Sequence, residues 1–178
     1  FYGEKGGSGK SQAIEMMIEM MPVGSVSSLS PQELSNERLV GHLEGAWLNA
    51  NTEVDDNFSE SAAFKRSVMA EWMMANPKYG VHFRFIALCL QAYAGNTLPR
   101  FKAHSKALEE RWLPIKFNNV FRDKKNDIKD IGKTIARTEL DELVKWVLWC
   151  GQKLIEDGQY TMPATSKKVF AQWRQESN

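Results

Sequence analysis

The sequence predicts an α/β fold, a mostly parallel sheet flanked by helices with a C-terminal helical segment. Three features lead there. The opening "FYGEKGGSGKSQAIEMM" sets a glycine-rich run directly before an apolar helical period, strand-like and helix-like stretches then alternate, and from Asp127 onward the pattern is helical alone. With 178 residues, 43% apolar and 25% charged, the chain can close one medium core, so a core at 1–126 and a helical segment at 127–178 are expected.

Taken in order, Ile14, Met17, Ile18 and Met21 fall at helical spacing behind the glycines, and Pro22 ends that helix. A short strand is expected in "GSVSSLS". "SPQELSNERLVGHL" starts a helix, with Ser30 as N-cap, Pro31 at the first helical position and Glu33 in the capping-box place. "GAWLNANTEV" reads as a strand running into an acidic loop. "FSESAAFKRSVMAEWMMA" reads as a helix with Phe64, Val68, Met69 and Trp72 on one side, broken by Asn76-Pro77. The continuous apolar run Phe85 to Leu90 marks a strand covered on both faces, at the sheet's centre. "KALEERW" reads as a charged helix and "WLPIKFNNVF" as one more strand. "TELDELVKWVLWCGQKLIEDG" is strongly amphipathic, with its start near Thr138 or Glu139 and its end at Gly158.

A formal charge of +1 gives no overall basic field, so any nucleic-acid contact must be local. Cys89 and Cys150 both lie in apolar stretches, which fits reduced thiols in a cytoplasmic compartment rather than a disulfide framework, and no metal site built on them is expected. No apolar run approaches bilayer-spanning length, so no membrane is expected as a partner. A phosphate-binding loop hangs from the end of a buried strand, of which only Phe1-Tyr2 is present, so the chain is expected to be a piece of something longer.

The glycine run has the chemistry of such a loop. Gly6, Gly7 and Gly9 let the backbone aim several N–H groups inward past Ser8. Lys10 supplies a point charge for the outer phosphates, the Ser11 hydroxyl can ligate Mg²⁺, and the helix start, Gln12 included, adds its positive dipole end. The usual spelling has glycine where Glu4 stands, and Gly3 lies one residue early, so the loop's path from its strand is irregular. The competing reading is a glycine turn without a ligand.

Hydrolysis also needs a carboxylate at the end of a neighbouring strand. Glu53, closing "AWLNANTE", is the first candidate. Asp55 and Asp56 stand nearby, Thr52 holds the place where an aspartate is usual, and a solvated acidic loop is the alternative. A polar monitor is expected at the end of the next strand, where Asn96 follows "FIALCLQAYAG"; a Gly-Asn turn is the alternative.

Together these stretches resemble, over roughly the whole chain, the C-terminal ATPase domain of phage and plasmid primase-helicases, superfamily 3 within the AAA+ class. "YGEKGGSGKS" looks like Walker A, "EGAWLNANTE" like the Walker B strand, "AGNTLPRF" like the sensor 1 asparagine with its following Leu-Pro-Arg, and "ERWLPIKFNNVF" like the arginine-bearing strand. The resemblance implies a P-loop AAA+ core binding ATP and Mg²⁺, the metal held by Ser11 and Glu53. Glu53 would orient water, Asn96 sense the γ-phosphate, and Arg111 reach a neighbour's nucleotide, with Arg100 as the rival for that role and a surface ion pair as the alternative for Arg111. It further implies a self-assembled, hexameric ring, single-stranded DNA in its pore, a primase or polymerase domain in the same longer chain, and a cytoplasmic setting in a bacterial host. "NPKYGVHFR" offers Lys78 and Tyr79 to that strand, on a hairpin or merely a turn, with Lys65 as a weaker contact. The rivals to a helicase are a P-loop ATPase that loads or remodels without unwinding, and an inactive DNA-binding or assembly module.

Overall fold

The computed structural model describes residues 1–54, 61–98, 110–125 and 127–176. Arg100, Asp55, Asp56 and most of "KALEERW" lie outside them.

A parallel sheet forms the base. Its regular strands are β1 (Val26–Ser27), β2 (Leu48–Asn51) and β5 (Leu90–Tyr93), in the order β1-β2-β5. Two further rungs extend it beyond β5: Tyr2 bridges in parallel to Gly95 on one side and to Lys116 on the other. The Phe1–Tyr2 rung is held on both sides, with Gly95 N–H donating to Phe1 O at 3.1 Å, Tyr2 N–H to Ile115 O at 2.9 Å and Phe117 N–H to Tyr2 O at 2.8 Å. The sheet therefore runs β1, β2, β5, Tyr2, Lys116, all parallel, so the chain leaves all five toward one carboxyl edge.

Helix α1 (Lys10–Glu19) covers this sheet, with Ile14 fully buried against Leu48, Ala50, Ala92 and Ala94. Small residues on β5 let the helix approach closely. The expected strand in "GSVSSLS" is β1, and the expected strand in "GAWLNANTEV" is β2.

A second sheet departs from expectation. The helix read into "FSESAAFKRSVMAEWMMA" ends early: α2 is Ala62–Val68, capped by the Ser61 hydroxyl, which accepts from Phe64 N–H. Ala70 then takes a left-handed φ of 51°, and β3 (Trp72–Ala75) pairs antiparallel with β4 (Phe83–Ile86). Met73 and Ala75 face the core while Trp72 and Met74 face outward, so the apolar residues satisfy a strand's period of two. The Phe85–Leu90 run is not one central strand either. It is the end of β4, a crossing through buried Ala87 and Cys89, and the start of β5, with Leu88 and Leu90 exposed.

The helix expected from Ser30 is replaced by two 3-10 turns, Glu33–Ser35 and Val40–Leu43. The capping box itself is formed: Ser30 N–H and hydroxyl both donate to Glu33 Oε2 at 2.8 Å, and Glu33 N–H returns to Ser30 Oγ at 3.3 Å. Leu34, Val40 and Leu43 pack with Phe64, Met73 and Phe85 into a core beneath the hairpin.

The C-terminal part is helical, as expected: α3 (Ile131–Thr138), α4 (Leu140–Asp157, ended by left-handed Gly158) and α5 (Ala164–Glu176). Helix α3 lies on α1, with Gly132 where a Cβ would stand 2.0 Å from Gln12 O. Arg137 closes the contact through Nε and Nη2 to Glu19 at 3.1 and 3.3 Å. Helix α5 buries Val169, Phe170 and Trp173, and Trp173 meets Trp112 edge-on at 6.2 Å. The "WLPIKFNNVF" stretch contributes only the single rung at Lys116. Among the described residues no helix is long and apolar enough to cross a membrane.

Candidate functional site

A cleft of about 1380 Å³ opens at the carboxyl edge, where the strands stop and the loops begin. Gly6, Gly7, Ser8, Gly9, Lys10, Ser11 and Gln12 line it, with Thr52 and Glu53 from just past the end of β2 and Gly95 and Asn96 from just past the end of β5. The expected phosphate, metal and sensor residues thus share one cavity, although three separate parts of the chain supply them.

The glycine loop is built for small donors. Gly7 and Gly9 have φ of 72° and 91°, which side chains with a Cβ rarely adopt, and Gly9 stands immediately before α1. Among the described residues the N–H groups of Gly6, Gly7 and Ser8 donate to no protein acceptor. Inward, open N–H groups at a helix start form an anion-binding concavity.

Lys10 is buried, 8% exposed, and its ammonium meets only neutral oxygens. Nζ donates to Gly3 O at 2.9 Å, and at longer range to Lys5 O and Ser8 Oγ at 3.3 Å and Asn96 Oδ1 at 3.4 Å. No carboxylate pairs with it among the described residues. Burial accordingly pulls its pKa below the ordinary lysine value. An unpaired buried cation is costly, and an anionic ligand would relieve that cost.

The asparagines that interrupt the Walker B-like strand have structural work. Asn49 is fully buried: Oδ1 accepts from Leu29 N–H at 2.8 Å, while Nδ2 donates to Leu29 O at 3.0 Å and Gln91 Oε1 at 2.8 Å. It extends the sheet where β1 has ended. Asn51 accepts from Glu53 N–H at 2.9 Å, and Val54 N–H donates to Ala94 O at 3.2 Å, so the backbone carrying Glu53 is fixed from two sides. Glu53 does not stand on the strand next to the glycine loop: β5, carrying Asn96, lies between.

Ser11 and Glu53 are both exposed in the cleft, a hydroxyl and a carboxylate of the kind Mg²⁺ accepts beside phosphate oxygens. The Gln12 side chain is engaged elsewhere, accepting from Gly132 N–H at 3.0 Å and donating to Glu15 at 3.0 Å. Arg111 is half-buried and does not line the cleft. Lys78 and Tyr79 stand on the turn of the β3–β4 hairpin, Tyr79 almost fully exposed at φ 65°, with Lys78 Nζ 5.0 Å from the centre of its ring. Lys65 is exposed on α2.

Sequence reasoning missed part of the lining, beside the glycine loop and α1. Phe121, Arg122, Ile128, Lys129, Asp130, Ile131 and Ile135 also line the cleft. Their only signal was apolar spacing at the start of α3, which packing alone explains equally well.

The fold is a mixed α/β one, with a small parallel sheet, flanking helices and a C-terminal helical segment. The chain belongs to a family described as a family of unknown function (DUF5906), whose family model matches residues 1–111. It is similar in fold to two apo A-form structures of the NrS-1 C-terminal region, one of them spanning residues 305–718, each at 17% identity and with TM-scores of 0.57 and 0.59. Each likeness covers 76% of this chain and 32% of the solved one, so the chain spans about a third of their length. No curated protein matches it.

Proposed function

We propose that this chain is the P-loop AAA+ motor of an ATP-dependent DNA helicase of the superfamily 3, primase-helicase kind, from a phage or mobile-element replication protein. The observation that carries the reading is Lys10, a buried ammonium with neutral partners only, set beneath open loop amides and facing Asn96. A polyphosphate supplies the anion that this arrangement lacks. The position of β5 supports the AAA+ form of the reading, because it puts a polar sensor between cradle and carboxylate.

In this reading the amides of Gly6, Gly7 and Ser8 and the Lys10 ammonium hold the β- and γ-phosphates. Ser11 and Glu53 hold Mg²⁺, which when bound neutralises charge on the phosphate oxygens. Glu53 orients the attacking water and takes its proton, and Asn96 hydrogen-bonds the γ-phosphate. Arg111, outside its own chain's cleft, serves the nucleotide of a neighbour in a homo-oligomeric ring. The hairpin carrying Lys78 and Tyr79 meets single-stranded DNA. The motor works in the cytoplasm beside a primase or polymerase domain of the same longer chain.

The test is ATP hydrolysis with and without single-stranded DNA, on the unaltered protein and on Lys10→Ala and Arg111→Ala. DNA-stimulated turnover that vanishes in both variants is expected, with partial recovery when Arg111→Ala is mixed with Glu53→Gln, because mixed boundaries then contain complete sites. Normal hydrolysis by Lys10→Ala would remove the reading. Strand displacement measured alongside separates a helicase from an ATPase that loads or remodels.

A further inference from the structure

Beyond the Lys116 rung the chain doubles back over the glycine loop. Phe121 N–H donates to Gly7 O at 2.8 Å, and Arg122 N–H reaches the same oxygen at 3.4 Å. The approach is close enough to demand glycine: a Cβ on Gly7 would stand 2.4 Å from Arg122 Cβ. A Cβ on Gly6 would lie 3.7 Å from Arg122 Nη1, so the guanidinium hangs over the part of the loop whose amides are open.

Arg122 is exposed and lines the cleft, and among the described residues its side chain enters no ion pair or hydrogen bond. Lys129 lines the same cleft and likewise enters no ion pair or hydrogen bond among the described residues, but it is Arg122 that a Cβ on Gly6 or Gly7 would meet first. The nearby Asp127 carboxylate accepts from Asp123 N–H at 3.2 Å rather than from Arg122. A free guanidinium fixed by its own backbone at the mouth of an anion cradle has the fork that phosphate oxygens accept bidentately.

We infer that Arg122 is a phosphate ligand supplied in cis, closing over the outer phosphates of a nucleotide bound in its own chain's cleft. The inference rests on the nucleotide-site reading above and adds to it a second cation, held against the glycine loop at Gly6 and Gly7. Lys10 is buried beneath the loop and sets whether any nucleotide binds. Arg122, at the loop's outer face, favours the longer polyphosphate, whose terminal group extends furthest toward it. Because its backbone is tied to Gly7, its contribution is independent of any neighbouring subunit, in contrast to the role given to Arg111.

The experiment is equilibrium titration of fluorescent ATP and ADP analogues against the unaltered protein, Arg122→Ala, Arg122→Lys, Lys10→Ala and, as a cationic residue away from the cleft, Lys145→Ala. Arg122→Ala is expected to weaken ATP roughly tenfold to a hundredfold and ADP much less, the range for loss of a charge-assisted hydrogen bond. Arg122→Lys recovers part of the loss, since charge is kept and the fork is not. Lys145→Ala binds as the unaltered protein, and every affinity is independent of protein concentration. Unchanged ATP and ADP affinities in Arg122→Ala, with both lost in Lys10→Ala, would overturn the inference and leave the nucleotide site standing. So would a loss that appears only at concentrations where chains associate. Failure of the unaltered protein to bind either analogue, or normal binding by Lys10→Ala, would overturn both.

Discussion

The Lys10 ammonium reaches Asn96 Oδ1 at 3.4 Å across 86 positions of sequence, joining the glycine loop to the end of β5. Both groups line the cleft, and in the proposed nucleotide site a terminal phosphate would meet the two together. Lys10→Ala is therefore expected to lower nucleotide affinity about a hundredfold, read by titration. Asn96→Ala is expected to keep affinity within severalfold while slowing hydrolysis about a hundredfold, the range for removing one donor aimed at developing charge. Equal losses in both quantities would reduce Asn96 to a binding residue.

Asn49 is a structural prediction independent of nucleotide. Asn49→Leu keeps an apolar volume but strands the N–H and C=O of Leu29, which it now satisfies at 2.8 and 3.0 Å. The expected loss is about 2–4 kcal/mol in urea unfolding, the cost of two buried backbone groups left without partners. A loss below about 0.5 kcal/mol would mean that water replaces the side chain there.

Gly132 sets how closely α3 approaches α1. In Gly132→Ala the new Cβ would meet backbone at 2.0 Å, which no rotamer can relieve, so the helices must separate. A stability loss of about 1–3 kcal/mol is expected from overpacking, visible as a lower melting temperature. Because α3 also lines the cleft, nucleotide affinity should fall in the same variant.

Stability should fall in strong base through Tyr93. Burial pushes its phenol well above the ordinary value of 10.0, with the Asn49 side chain as a smaller opposing influence. Its folded pKa exceeds its unfolded one, so its contribution is complete below about pH 10. Above that the unfolded chain loses the proton first, and unfolding free energy drops by about 1.4 kcal/mol per pH unit from this group. Tyr93→Phe removes that slope, at about 1 kcal/mol cost near neutrality for the lost hydrogen bonds to Asn49 and Gln91. An unchanged alkaline slope in the variant would assign it to other groups.

If the hairpin turn meets single-stranded DNA, its two exposed residues should fail differently. Lys78→Ala should weaken binding for all sequences and lower the salt dependence by about 0.7 in the log–log slope, one phosphate contact's worth. Tyr79→Ala should cost about 1–3 kcal/mol, with little change in that slope, as for a lost stacking face. Fluorescence anisotropy at several salt concentrations separates the two.

The glycine loop and the helix behind it were legible because their conformation is local. Gly6 to Ser11 are neighbours in sequence, and the positive φ of Gly7 and Gly9, like the helix that follows, depends on residues within a few positions. The Ser30–Glu33 capping box was legible for the same reason, although the helix it announced became 3-10 turns packed under the hairpin. Helix and strand could not be separated in "AEWMMA", where apolar residues fill both periods. Only pairing of Met73 with Phe85 across β3 and β4 decides for the strand.

By itself, then, the sequence determined an α/β chain with a glycine loop, an acidic residue and an asparagine at strand ends, and a helical C-terminus. Tertiary structure alone decided that β5 lies between Tyr2 and β2, that Asn49 holds Leu29, and that Arg122 hangs over Gly6 and Gly7. The physical reason is the range of the forces. Backbone conformation and periodicity are set over a few residues, whereas strand order and the closing of a cleft depend on which apolar faces bury one another across the whole chain.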